Sequence, residues 1–168
     1  TLPAVISGPL SGGKVTISGK KGSQLISGLL MALPLSKKNS TLTVTNATSL
    51  PYIQLTLDVL KKFGIAIEVS QEEDRLVFTI PGKQSYQPAS FSIEGDWSSA
   101  SNFIVAGALF GNLKIRGLEM GSHQADRAIV DIVRGCGGYI EETPDGLIVK
   151  CSHLRAFEYD ATNSPDLF

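Results

Sequence analysis

Cysteine is nearly absent from this chain: Cys136 and Cys151 are its only two. Two thiols make neither a disulfide framework nor a zinc site. Both are expected to behave as small apolar residues in a reducing, cytoplasmic setting. Histidine is equally scarce. His123 and His153 lie far apart without carboxylate or cysteine ligands at metal spacing, so no metal centre is expected. No apolar stretch reaches membrane-spanning length, and no signal-peptide pattern is visible in the residues present. An excess of positive charge is missing too: the net charge is -1, whereas a general nucleic-acid binder shows a basic face. What remains is 42% hydrophobic and 18% charged, the balance of a soluble globular protein with a real core. At 168 residues it forms one ordinary domain or two small ones.

What the chain does have is a repeat. Val15-Thr-Ile-Ser-Gly19-Lys-Lys-Gly-Ser23-Gln24 precedes an apolar run, and Phe91-Ser-Ile-Glu-Gly95-Asp-Trp-Ser-Ser99-Ala100 precedes another. Gly19 to Gly95 and Ser23 to Ser99 are both separated by 76 positions. The opening returns, broken off, as Phe157-Glu-Tyr-Asp160-Ala-Thr-Asn-Ser164-Pro165-Asp166. A recurring strand, polar turn and helix start sets several helix N-termini in equivalent positions, and helix N-termini bind anions. The chain opens at Thr1 without a methionine and stops at Phe168, where a third unit should enter its helix. It reads as a piece of a longer protein.

Within the first unit, Lys14 to Ser18 and Thr41 to Thr45 alternate apolar and polar residues as strands do. Leu25 to Leu35 is apolar on nearly all sides, which predicts a buried helix stopped by Pro34. A second helix starts at Ser49-Leu-Pro51-Tyr52, with Ser49 as a candidate cap, and ends at Gly64. Ile65 to Val69 and Leu76 to Ile80 form a hairpin across Glu72-Glu73-Asp74. The second unit repeats the plan. It has a strand at Phe91, a buried helix over Phe103 to Phe110 and a strand at Leu113 to Arg116. An amphipathic helix follows from Ser122 to Val133, then Tyr139 to Glu141 pairs with Leu147 to Lys150 across Pro144-Asp145-Gly146. Each unit is therefore β-α-β-α-β-β, an α/β (α+β) arrangement with helices on one side of a mixed sheet. The domain reading is one unit over 1–83, a polar connector at 84–88 and a second unit over 89–168 that runs into the start of a third.

Several polar residues stand where chemistry is possible. Ser23 and Gln24 open the first helix, where a hydroxyl and an amide beside unpaired N–H groups either hold a phosphate or simply cap the helix. Ser49 and Tyr52 open the second, as cap and partly buried ring or as the other wall of one pocket. Asp166 opens the third, in register with Gln24 and Ala100, as a dipole-stabilised carboxylate or as a base. Asp96, Ser98 and Ser99 read as turn and cap, and Trp97 as a residue packed against the neighbouring unit. Arg134-Gly-Cys136-Gly-Gly138 ends an amphipathic helix, which makes it a C-cap with a buried thiol. Lys20 and Lys21 border the candidate anion site.

Taken together, Gly19-Lys-Lys-Gly-Ser23-Gln24, Ser49-Leu-Pro51-Tyr52-Ile53, Gln84-Ser85-Tyr86-Gln87, Glu94-Gly95-Asp96-Trp97-Ser98-Ser99-Ala100 and Ser164-Pro165-Asp166 resemble the 5-enolpyruvylshikimate-3-phosphate synthase family. The similarity runs in order over essentially the whole chain and covers the middle of an enzyme more than twice as long. The resemblance implies two globular domains, each of three β-α-β-α-β-β units, with substrates in the cleft between them. It makes 1–83 the last unit of the inserted N-terminal domain and 89 onward the return through the C-terminal domain. The implied reaction moves the enolpyruvyl group of phosphoenolpyruvate onto the 5-hydroxyl of shikimate 3-phosphate, on the route to chorismate and the aromatic amino acids. It passes through a tetrahedral intermediate and needs no metal or organic cofactor.

Carried over by position, the resemblance makes Ser23 and Ser49 ligands of the shikimate phosphate. Gln24 contacts the bound substrates, Tyr52 lines the ring site, and Asp166 handles the proton of the attacking hydroxyl. Two positions depart from the family pattern. Gly22 replaces a usual serine, losing a hydroxyl while keeping an N–H to offer, and an arginine that binds phosphoenolpyruvate in many members falls at Val5. Most of the basic residues that clamp phosphoenolpyruvate lie outside this chain, so the piece alone is expected to be inactive. The parent is expected to be a monomer and the piece prone to self-association. Two other readings compete: a UDP-N-acetylglucosamine 1-carboxyvinyltransferase-like enzyme of cell-wall synthesis, and a noncatalytic repeat or interaction module.

Overall fold

The first sheet comprises strands β1 (Lys14–Ser18), β2 (Ser40–Thr45), β3 (Glu68–Glu72) and β4 (Arg75–Ile80), with strict alternation of buried and half-buried residues in β2. They are ordered β1-β2-β4-β3 in the computed structural model, which describes residues 3, 5 and 7–167. β1 and β2 run parallel, with Ile17 opposite Val44 and Ser18 opposite Thr45. β2 and β4 run antiparallel, Leu42 facing Phe78, and β3 closes the hairpin against β4. Leu42, Val44, Phe78 and Ile80 are fully buried on one face of this sheet. Against them lie Ile26 and Leu30 from helix α1 (Gln24–Ala32), and Ile53 and Leu60 from helix α2 (Leu50–Lys62). One sheet face and two helix stripes thus make a single core.

The chain divides into two compact units, Thr1–Ser90 and Phe91–Phe168. The second holds helix α3 (Trp97–Phe110), strand β5 (Leu113–Arg116), helix α4 (Ile129–Gly135) and strands β6 (Tyr139–Thr143) and β7 (Gly146–Lys150). Its sheet has the order β5-β7-β6 and is antiparallel throughout. Its core is built from Leu147 and Val149 of β7, Ile104 and Ala108 of α3, Val130 and Val133 of α4, and Trp97.

Several expectations are corrected. Phe91 to Glu94 is not a strand; the second sheet keeps, at that place, the bond from Gly95 N to Gly117 O at 2.8 Å. The equivalent bond in the first unit, Gly19 N to Thr45 O, sits at the end of a full parallel ladder. Neither apolar helix is buried all round: Leu25 is 63% and Phe110 84% exposed. A helix laid on one sheet needs only one stripe of contact, and the rest of its apolar surface stays outside. Pro34 does not simply stop α1; it lies in a 3-10 turn, Leu33–Leu35, that continues it. The amphipathic helix expected from Ser122 begins later, as a 3-10 turn Ala125–Ala128 leading into α4. Ser122 instead makes a local turn, its Oγ accepting from Gln124 N at 2.9 Å. Trp97 is buried in the core of its own unit, with its indole Nε1 donating to Glu119 O at 3.3 Å. Of the two thiols, Cys136 is buried at the C-cap of α4, whereas Cys151 is exposed.

The polar segment around 84–88 is held along the first unit by hydrogen bonds. The Gln84 carboxamide acts as a surrogate peptide group, its Oε1 accepting from Ala66 N at 2.8 Å and its Nε2 donating to Ala66 O at 2.9 Å and Pro81 O at 2.7 Å. Tyr86 Oη donates to Met31 O at 2.7 Å, and Gln87 N to Phe63 O at 2.9 Å. These bonds strap the segment along the first unit.

Candidate active site

Parallel pairing decides where the first unit presents its polar residues. Because β1 and β2 run the same way, both strands end at one edge of the sheet, and each is followed there by a helix. Ligands of α/β sheets bind at such carboxyl ends, where helix N-termini point outward. Two bonds clamp the turns together: Gly19 N donates to Thr45 O at 2.8 Å, and Thr48 Oγ1 donates to Gly19 O at 2.9 Å. A Cβ at Gly19 would lie 2.7 Å from Ala47 Cα, so only glycine lets the turns approach this closely. Behind them, Ser27 Oγ and Thr56 Oγ1 share a hydrogen bond of 2.8 Å between α1 and α2. Ser23-Gln24 and Ser49-Tyr52 are thereby gathered at one edge.

Neither serine does the job of a cap. Ser23 stands at the N-cap position of α1 with helical φ/ψ and makes no side-chain cap bond, although the residue is only 6% exposed. Ser49 precedes α2 in the left-handed region, φ 55 and ψ 41, and makes no side-chain cap bond either. A non-glycine residue held there costs on the order of 1–3 kcal/mol, a strain that clusters at ligand-binding turns. No acidic residue lies in the first turn of α1 or α2, so the positive ends of both dipoles stay uncompensated by carboxylates of their own helices. Lys20 and Lys21 add exposed positive charge beside α1. The site is suited to a phosphate or carboxylate.

The second unit shows the contrast. Asp96 occupies the place of Lys20 and caps α3, accepting from Ser98 N at 3.2 Å and Ser99 N at 3.1 Å. Hydrogen bonding from the Ser99 hydroxyl, with the backbone N–H groups of Ser99 and Ser98, holds its carboxyl below the ordinary aspartate value. Gln124 plays the part of Thr48, its Nε2 donating to Gly95 O at 3.0 Å while its Oε1 accepts from Trp97 N at 2.8 Å. The Ser98 hydroxyl bonds the buried Asp126 carboxylate. One helix start is closed by its own side chains; the other is open.

The remaining predicted residues fall as follows. Gln24 is exposed and Tyr52 partly buried, at the first turns of α1 and α2. Asp166 is exposed on a 3-10 turn, Pro165–Leu167, of the second unit. Gly22 does not keep a free N–H, which donates to Gly19 O at 3.1 Å within the turn. Val5 is 97% exposed. Among the described residues no group of His, Cys, Asp and Glu could hold a metal ion. A groove of about 580 Å³ between α2 and residues 64–69 begins at Gln54, beyond these residues, and runs toward the far end of the helix. Sequence reasoning missed Thr48 and Gln124, the residues that tie the turns. The glycines they bond, repeated at 19 and 95, were the available signal.

Comparison with known proteins bears on this arrangement. The sequence pattern described as EPSP synthase (3-phosphoshikimate 1-carboxyvinyltransferase) matches residues 1–168. The chain belongs to the EPSP synthase family. The 3-phosphoshikimate 1-carboxyvinyltransferase of Methanococcus maripaludis is 40% identical over 99% of this chain and 40% of its own length. That of Buchnera aphidicola is 39% identical over 98% of this chain and 38% of its own. The chain thus spans about 40% of the length of the EPSP synthase relatives it matches. A structure of EPSP synthase from Acinetobacter baumannii superposes with a TM-score of 0.66 over 94% of this chain and 36% of that one, at 17% identity. The enolpyruvyl transferase NikO from Streptomyces tendae superposes with a TM-score of 0.57 at 18% identity, covering 84% of this chain and 35% of that one. Those likenesses establish the EPSP synthase fold.

Proposed function

We propose that this chain supplies part of the substrate site of an enzyme that transfers the enolpyruvyl group of phosphoenolpyruvate to shikimate 3-phosphate. The observation that carries the reading is the open pair of helix starts at the ends of β1 and β2, in a chain of this family. Ser23 and Ser49 bind the shikimate phosphate with hydroxyls not engaged as caps, backed by two helix dipoles. Gln24, one position on from Ser23, contacts the bound substrates, and Tyr52, three positions on from Ser49, lines the sugar-like ring site. Asp166 takes the proton of the 5-hydroxyl as the hydroxyl oxygen bonds to C2 of phosphoenolpyruvate and C3 takes up a proton; the tetrahedral adduct then loses a C3 proton and phosphate, which restores the double bond. The first unit is the last of the inserted domain, and the second begins the return through the other. The enzyme works in the cytoplasm as a monomer.

A titration of the isotopically labelled chain with shikimate 3-phosphate tests the reading, with UDP-N-acetylglucosamine as control. Shifts gathered at Ser23, Gln24, Ser49 and Tyr52 with the shikimate ligand alone are expected. The same shifts with the UDP-sugar alone would move the assignment to the cell-wall enzyme.

A further inference from the structure

We infer that Tyr159 and Ser164 form a clamp that positions Asp166, an inference resting on the role proposed for that carboxylate. Ser164 is 1% exposed, and its hydroxyl shares a hydrogen bond of 2.8 Å with the Tyr159 phenol. The backbone of Ser164 is fixed at both ends: its N–H donates to Ala161 O at 3.0 Å, and its carbonyl accepts from Leu167 N at 3.3 Å. Leu167 in turn packs against the core of the second unit.

In a 3-10 turn, residues three apart stand over one another. Ser164 and Leu167 therefore share the inner face, and the two residues between them, Pro165 and Asp166, are exposed. Proline at 165 fixes φ at the turn's first position. Upstream, the Asp160 carboxylate accepts from Thr162 N at 2.9 Å and Thr162 Oγ1 at 2.5 Å, which ties the loop between Tyr159 and Ser164 to itself. The Tyr159–Ser164 hydroxyl bond thus ties the loop to the turn alongside the bond from Ser164 N to Ala161 O, and the direction in which Asp166 projects depends on it. In the sequence Ser164 stands out only as part of the Ser164-Pro165-Asp166 motif; its burial makes it a positioning residue. A buried hydroxyl that loses its partner is disfavoured, so Ser164 would leave its place once the phenol is gone.

The test is nuclear relaxation of the Asp166 amide in the 168-residue chain, in wild type and in Y159F, S164A and the double variant. Fluorescence of Trp97, the single tryptophan and buried in the same unit, reports that the core is intact. The Asp166 order parameter is expected to fall from about 0.85 to below about 0.6 in each single variant, and no further in the double, since each variant already breaks the Tyr159–Ser164 bond. An unchanged order parameter in Y159F and S164A with Trp97 emission preserved would overturn the clamp, whatever any ligand does. In an enzyme of full family length, the same substitutions should lower kcat on the order of tenfold to a hundredfold with KM for shikimate 3-phosphate unchanged. Loss of order without loss of kcat would leave the clamp as architecture only and overturn its positioning role. Full activity in D166N would refute the role of Asp166 itself, while the relaxation data would still decide the clamp.

Discussion

Position 22 shows how one residue shapes the site. Gly22 sits at φ +101, a region that side-chain-bearing residues avoid, and a Cβ there would stand 2.7 Å from Gln24 Oε1. Gly22→Ala should cost at least about 1 kcal/mol of stability, read from urea unfolding, and should shift the Gln24 side-chain amide resonances as the carboxamide is pushed aside. At Asp96 the sign is set by its depressed pKa, which has the Ser99 hydroxyl as its largest cause. Its contribution is present above the unfolded aspartate value of about 3.9 and is lost as pH falls through the lower folded value. Asp96→Ala should destabilise the second unit by about 1 kcal/mol near neutral pH. That gap should close as the pH drops through and below the unfolded value, a trend that urea unfolding along a pH series would check. These residues also mark a limit of reading serines from sequence. Ser23, Ser49 and Asp96 all precede helices and all resemble caps, yet only Asp96 makes cap bonds. The difference lies in backbone angles imposed by the preceding turn, extended at Asp96 and left-handed at Ser49.

At the scale of elements, strand alternation carried most of the information. In Ser40–Thr45 every second residue is buried, and the antiparallel partner supplies Phe78 and Ile80 to the same face. The strand expected at Phe91 has similar alternation but lacks the ladder that β1 makes with β2, because a pattern supplies a face and not a partner. Helix length was harder to read than helix existence. α3 begins at Trp97 because Asp96 caps it there, well before the apolar run that announced it. The strap over 84–87 was legible only as polar composition, since its hold on the unit comes from a side chain imitating a backbone. Gln84→Ala removes three hydrogen bonds and should cost about 1–2 kcal/mol. The Ala66 amide, which donates to Gln84 Oε1, should then exchange on the order of tenfold faster with solvent deuterium.

For the whole molecule, two cores with no residue in common underlie two units of one plan. The chain spans about 40% of its matched relatives' length, so it should show no enolpyruvyl transfer by itself. A coupled phosphate-release assay checks this, and rates comparable with an enzyme of full family length would contradict it. The repeat at Gly19 and Gly95, the alternating strands and the order of the five motifs were determined by local sequence. Each follows from periodicity and turn chemistry within a few residues. Which helix start stays open and which is closed was decided only by the tertiary structure, as was the gathering of Ser23 with Ser49. These depend on parallel pairing between segments some 27 residues apart and on the hydrogen bonds of Thr48 and Gln124 across the turns. Such contacts join distant parts of the chain, and no local pattern encodes them.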